Sequence, residues 1–189
     1  MTMRQFYDWQ TAGGSSDVAK LVQTLEAREI PWCMIGGLAV NHWAEEPMAT
    51  ADVDLVIAAE RVEEAVMALQ ECGFVAERFE WSINLKGQSR VSVQISTEPF
   101  YRNFPSRSLP ADVHGILIRV ASLEDTLAGK LRAYGNPQQR PSKRQKDLAD
   151  IARLIETHPT LRARVPTEVL SRIAGESDGR APENGTPTA

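Results

Sequence analysis

The sequence predicts an α/β chain of the α+β kind: a mixed central sheet with flanking helices, followed by a helical carboxy-terminal half. Three observations carry that prediction. Residues 32–57 run strand, glycine turn, helix, strand; residues 74–97 alternate apolar and polar side chains as further strands do; beyond residue 121 apolar residues recur at helical spacing. The 189 residues, 42% of them hydrophobic, suffice for one good core and are too few for two ordinary domains. The expected division is an α/β core over 1–120, a helical extension over 121–174 packed on it, and a disordered tail over 175–189.

The elements follow in order. Ser15, Ser16 and Asp17 read as a capping group ahead of a helix whose Val18, Leu21, Val22 and Leu25 share one face, with Pro31 beyond its end. Trp32–Ile35 is a short apolar strand, Gly36 and Gly37 open a helix, and the run from Ala51 to Ala58 is a second strand. A helix over Glu60–Gly73 buries Val62, Ala65, Val66 and Leu69 and closes on Gly73. Phe74–Thr97 holds two or three strands with a turn at Gly87, and Val91, Val93 and Ile95 alternate inward. Thr97–Pro110, rich in Pro, Arg and Ser, reads as a loop, and Gly115–Ala121 as one more strand. Ser122 with Asp125 forms a capping box for a helix striped by Leu123, Leu127 and Leu131; helices over Ser142–His158 and Pro166–Gly175 follow.

Composition excludes several classes. The net charge of −4 does not announce a polyanion binder, although Arg140–Lys146 is a local basic cluster. The start lacks a signal-type apolar segment, and no apolar run approaches the roughly 20 residues that span a bilayer, so the expectation is a cytoplasmic protein without a membrane partner. Cys33 and Cys72 lack metal spacing and read as buried thiols; the isolated His42 and His114 read as structural.

The chemistry concentrates between residues 36 and 57. In a strand, residues i and i+2 project from one face, so Asp52 and Asp54 point together from Cα atoms about 7 Å apart while Val53, Leu55 and Ile57 face the core. Carboxylates with tips about 5 Å apart repel by roughly 3 kcal/mol at an effective dielectric of about 20, so an ionised pair calls for a cation between them. Oxygen ligands suit Mg²⁺ or Mn²⁺, which also holds phosphates. Gly36 and Gly37 let the backbone approach a ligand without a Cβ, and the helix they open offers free N–H groups to phosphate. Each motif alone has a plainer reading, an exposed edge strand or a tight turn; the joining helix favours a site.

This combination resembles the nucleotidyltransferase superfamily with the polymerase-beta-like fold, and within it the small abortive-infection and toxin-antitoxin type enzymes of the AbiEii kind. The resemblance rests on "GGLA" at Gly36–Ala39, "MATADVDLVI" at Met48–Ile57, "LEDTLAGKLRAY" and "SKRQKDLADIARLI". It implies a nucleoside triphosphate bound at Gly36, Gly37 and Thr50, metal on Asp52 and Asp54, and transfer of a nucleoside monophosphate to an acceptor hydroxyl such as that of an RNA. Two departures matter. Met48 stands where the pattern commonly has arginine, and the later strand that should carry a third acid shows Arg90, Ser92, Gln94 and Ser96 on its polar face. Gln94 occupies the expected position, and an amide cannot take a proton at neutral pH; Glu98 is the nearest substitute.

Lys130 is either the triphosphate's cation or a solvent-facing lysine opposite the leucine stripe. Lys146, Asp147 and Asp150 either form a solvated face, with Lys146 and Asp150 an i,i+4 pair, or dock the helical half onto the cleft, Lys146 then serving the nucleotide. Arg140, Lys143 and Arg144 could meet the phosphates of an RNA acceptor. The leading expectation is a Mg²⁺-dependent nucleotidyltransferase with a toxin-antitoxin or phage-defence role. The alternatives are a catalytically impaired module of that fold, binding nucleotide, RNA or a protein partner, and an antibiotic nucleotidyltransferase.

Overall fold

The computed structural model describes residues 14–48, 50, 52–89, 91–113 and 116–175. Arg90, His114 and positions 176–189 of the expected tail lie outside the described residues. Helix α1 (Ser15–Ala27) precedes strand β1 (Trp32–Ile35), helix α2 (Gly36–Trp43) and strand β2 (Asp52–Ile57). Helix α3 (Val62–Glu71) leads to β3 (Val75–Arg78), β4 (Ser82–Lys86) and β5 (Ser92–Ser96). Two 3-10 turns, Pro99–Tyr101 and Pro105–Arg107, then give way to β6 (Leu109–Val113), β7 (Ile116–Val120) and the helices α4 (Leu123–Tyr134), α5 (Pro141–Thr157) and α6 (Thr167–Ile173).

The strands form one mixed sheet in the order β3-β4-β5-β2-β1-β7-β6, with β2 parallel to β5 and β1 parallel to β7. Alternation assigns the faces. Trp32 and Met34, Val53, Leu55 and Ile57, Val93 and Ile95 turn to one side, where α1 and α3 cover them with Leu21, Leu25, Val66 and Leu69. The other side carries Ile35, Asp54, Gln94 and Ser96 and is closed at one end by Tyr101 and Phe104 of the 3-10 turns.

Three local readings differ from the structure. The capping group at Ser15–Asp17 caps nothing: the N-cap is Gly14, without a side-chain bond, and the Asp17 carboxylate instead accepts from the Ser89 N–H at 2.7 Å. Burial works against the charge, but the Ser89 hydroxyl, the amides of Ser89 and Gln88 and the Lys20 charge outweigh it and hold Asp17 below the usual carboxylate range. The stretch read as a loop to Pro110 contains two 3-10 turns and the start of β6. Proline lacks the N–H a ladder needs, but β6 is the sheet's outermost strand, where the missing donor is tolerated. The Ser122–Asp125 box forms on one side only: Ser122 Oγ accepts from the Asp125 N–H at 3.2 Å, while the Asp125 carboxylate takes the Arg107 guanidinium in a two-pronged bond.

The helical half has its own apolar cluster. Leu127, Ile151, Leu154, Ile155, Leu161 and Val169 gather on Val40 and Ala44, so α2 is packed against both clusters. Its polar seam is an ion network. Lys130, buried on α4, places Nζ 2.9 Å from Asp147 Oδ1 and 2.6 Å from Asp150 Oδ2 of α5. Burial works against the ammonium, but the two carboxylates outweigh it and hold Lys130 above the usual lysine range. Asp150 also pairs with Arg153 at 3.1 Å. Asp147 and Asp150 are therefore buried partners of Lys130 rather than a solvated face. Breaking such a network leaves uncompensated charge in the interior. Lys130→Met should lower unfolding free energy by about 3–5 kcal/mol in a denaturant titration; wild-type stability would mean that the network does not hold α5 to α4.

Candidate active site

The site is built at the junction of β1 and α2. Gly36 adopts φ +70°, a conformation that side chains rarely take, and an added methyl there would lie 2.9 Å from the Asp54 Cβ and Cγ and nearer still to Oδ2. Both constraints point to one cause: the Asp54 carboxyl rests directly on the backbone where α2 begins. The antiparallel register opposes Ile35 to Asp54, and the parallel register with β5 opposes Asp54 to Gln94. One strand further, Asn84 opposes Gln94, and its Oδ1 is buried without a hydrogen-bond partner among the described residues. A row of one acid and two amides thus crosses the sheet face.

Above this row opens a cleft of about 710 Å³, floored by Gly36, Asp54, Gln94, Ser82 and Ser96 and walled by Trp81, Tyr101 and the α4–α5 region. Of the sequence-derived candidates, Gly36, Asp54, Gln94, Glu98, Lys130, Lys143 and Asp147 line it. Asp52, the exposed first residue of β2, shares the Asp54 face but stands outside the lining. Thr50 is buried against Gly37, whose added methyl would lie 3.3 Å from Thr50 Oγ1. Lys146 is half-buried on α5 and does not reach the lining. Glu98 is occupied by Arg132 at 3.2 Å.

Sequence reasoning missed the residues that hold the connection between α2 and β2. Asn41 clamps the Met48 backbone through N–H to Oδ1 at 3.0 Å and Nδ2 to carbonyl at 2.6 Å. Arg153 reaches from α5 to Asn41 Oδ1 and to the carbonyls of Glu45 and Glu46. The i,i+3 spacing of Asp150 and Arg153 was the available signal, but it does not reveal the far end of the guanidinium. Cys33, expected to be a buried thiol, is one, and burial pushes it well above the usual thiol range, so it is no nucleophile.

Residues 38–186 match the family model described as nucleotidyl transferase AbiEii toxin, type IV TA system. The chain belongs to the AbiEii nucleotidyltransferase family. The match begins one residue after Gly37 and spans both aspartates, Gln94 and all of α5. No curated protein matches the sequence. Among solved structures, the lincosamide antibiotic adenylyltransferase LnuA with lincomycin bound is similar at 12% identity over 74% of this chain and 97% of its own, TM-score 0.52. The antibiotic-resistance factor ANT(2″)-Ia is similar at 13% identity over 87% and 98%, TM-score 0.56. A nucleotidyltransferase-like protein of Paracoccidioides brasiliensis reaches 22% identity over 85% of both chains, TM-score 0.54. At these identities the likeness establishes the nucleotidyltransferase fold.

In this AbiEii-family chain, burial pushes the Asp54 carboxyl above the usual range; Lys130, Lys143 and Lys146 pull it back, and the Asp52 charge adds to the push. Asp52, Asp54 and the Gln94 amide oxygen are an all-oxygen donor set. Among the described residues no group of three or more His, Cys, Asp and Glu side chains could hold a metal, so a cation here would complete its shell with water and phosphate oxygens, the usual habit of Mg²⁺. Among the described residues no helix is long and apolar enough to cross a membrane.

Two outcomes follow. Gly36→Ala should destabilise the fold and displace Asp54, seen as a lower melting temperature together with loss of any ligand-induced rise. Because the folded state holds the Asp54 proton more tightly than the unfolded chain, ionised Asp54 costs stability above its folded pKa, and the cost vanishes below the unfolded value of about 3.9. Asp54→Asn should therefore raise the melting temperature of the ligand-free protein near neutral pH, with the difference closing in acid. A lower melting temperature near neutral pH would mean that the carboxylate has stabilising partners.

Proposed function

We propose that the chain is a divalent-metal-dependent nucleotidyltransferase that binds a nucleoside triphosphate in the cleft and transfers its nucleoside monophosphate to an acceptor hydroxyl, with an RNA as the acceptor and a toxin of a toxin-antitoxin pair as the role. The observation that carries this reading is Asp54: a carboxylate without an ion-pair partner among the described residues, set against Gly36 at the floor of a nucleotide-sized cleft, with Asp52 on the same strand face. Family membership supports the nucleotide as substrate.

Asp52 and Asp54 would hold Mg²⁺ or Mn²⁺, which when bound neutralises charge on the α-phosphate and the departing pyrophosphate. The acceptor oxygen bonds to the α-phosphorus as the bond to the pyrophosphate oxygen breaks. The chain's own residues orient the two: Gly36 lets the Asp54 carboxyl sit against the start of α2, and Gln94, beside Asp54, hydrogen-bonds the acceptor hydroxyl. Gln94 cannot take the acceptor proton, which leaves to water, and turnover is correspondingly slow.

The same Gln94 favours one second reading, a module that binds nucleotide without chemistry. Incubation with each α-labelled nucleoside triphosphate, Mg²⁺ or Mn²⁺ and total RNA separates the two. Label transfer is expected, falling by about 100-fold or more in Asp54→Asn and rising in Gln94→Asp. Nucleotide binding without transfer in either the wild type or Gln94→Asp would establish the module; absence of nucleotide binding would remove both readings.

A further inference from the structure

The cleft is lined by the acidic and basic side chains Asp54, Glu98, Asp125, Lys130, Arg132, Lys143 and Asp147. Most of them neutralise one another. Lys130 is shared by Asp147 and Asp150, with Arg153 completing the set so that two cations meet two carboxylates. Arg132 pairs with Glu98 at 3.2 Å, and Arg107 engages Asp125 at 2.7 Å. Among the described residues this leaves one anion and one cation of the lining without an ion-pair partner, Asp54 at the floor and Lys143 on the first turn of α5. The Lys143 charge acts on the Asp54 carboxyl, as do those of Lys130 and Lys146.

Lys143 is exposed on its helix, yet its base is held in place. The α4–α5 connection that lines the cleft beside it is pinned by Arg144 Nη2 to the Asn136 carbonyl at 2.7 Å, by the Gln138 N–H to Asn136 Oδ1 at 3.0 Å, and by Gln139 Nε2 on Asp147 Oδ2. Lys130 has no such freedom: its ammonium is surrounded by carboxylates and buried. Turning this ammonium to a ligand phosphate would take from Asp147 its one ion-pair partner among the described residues and leave Asp150 to Arg153 alone.

We infer that Lys143, and not Lys130, is the cation that receives the β- and γ-phosphates of the nucleotide, so that the two unpaired charges of the cleft mark the two ends of a metal-bound triphosphate. This rests on the reading of the cleft as a nucleotide site. It assigns Lys130 to holding α4 and α5 together, and Lys143 to discrimination between a triphosphate and a monophosphate, since the latter lacks the β- and γ-phosphates that Lys143 would receive.

The test measures binding of ATP, GTP, CTP and UTP, and of each monophosphate, to the full chain with Mg²⁺ by calorimetry. Wild type should bind at least one triphosphate more tightly than its monophosphate. Lys143→Gln, at an exposed position that leaves the fold intact, should weaken the triphosphate by about 10- to 100-fold and leave the monophosphate unchanged, and Lys143→Arg should restore most of the difference. Equal triphosphate affinity in wild type and Lys143→Gln overturns the assignment, including the case in which only binding of RNA is weakened, which would make Lys143 an acceptor contact. Failure of the wild type to bind any nucleotide overturns the nucleotide reading itself, and this assignment with it.

Discussion

The close approach of the Asp54 carboxyl to the Gly36 backbone is the constraint on which the site depends. It needs a residue with no Cβ, a left-handed φ at the end of β1, and a register that sets Ile35 opposite Asp54. These conditions agree because the chain leaves β1 directly into α2, which must turn back over the sheet's end before β2 can lie antiparallel beside β1. α2 is also the surface shared by the two apolar clusters. The turn that seats the Asp54 carboxyl is thereby the turn that joins the sheet to the helical half.

Charge is distributed in a way that separates structure from function. The seam between α4 and α5 carries buried charges that neutralise one another, and the rim pairs Arg132 with Glu98 and Arg107 with Asp125. Such pairs fix geometry more than they add stability. Asp54 receives no such partner, and its carboxyl is driven upward by desolvation. Three lysines act on Asp54 from a distance, yet desolvation and the Asp52 charge beside it outweigh them, so this point of the fold favours the neutral carboxyl.

The row Asp54, Gln94, Asn84 sets the chemical character of the cleft. Amides there keep the floor polar without adding to the repulsion between Asp52 and Asp54, and they supply hydrogen bonds where an acid would supply a base. The AbiEii family and the fold of the antibiotic adenylyltransferases accommodate this chain, while the row distinguishes its floor from one with a further acid.

Much was legible in the sequence because it is local. Period-two alternation placed Asp52 and Asp54 on one face and Val53, Leu55 and Ile57 on the other; the double glycine announced an unusual turn; the same alternation put Gln94 on the polar face of its strand. What the sequence could not disclose involves partners distant along the chain. Lys130 read as a free cation or a solvated one because nothing in α4 reveals that Asp147 and Asp150 close over it. Asp17 read as a cap because the Ser89 amide lies 72 residues away, and Pro110 read as loop because the edge position of β6 is a property of the assembled sheet. By itself the sequence determined which residues share a face, since that follows from backbone periodicity; only the tertiary structure decided which charges are spent on one another and which are left without an ion-pair partner among the described residues, since Coulombic pairing depends on distances that exist only once the helices have packed.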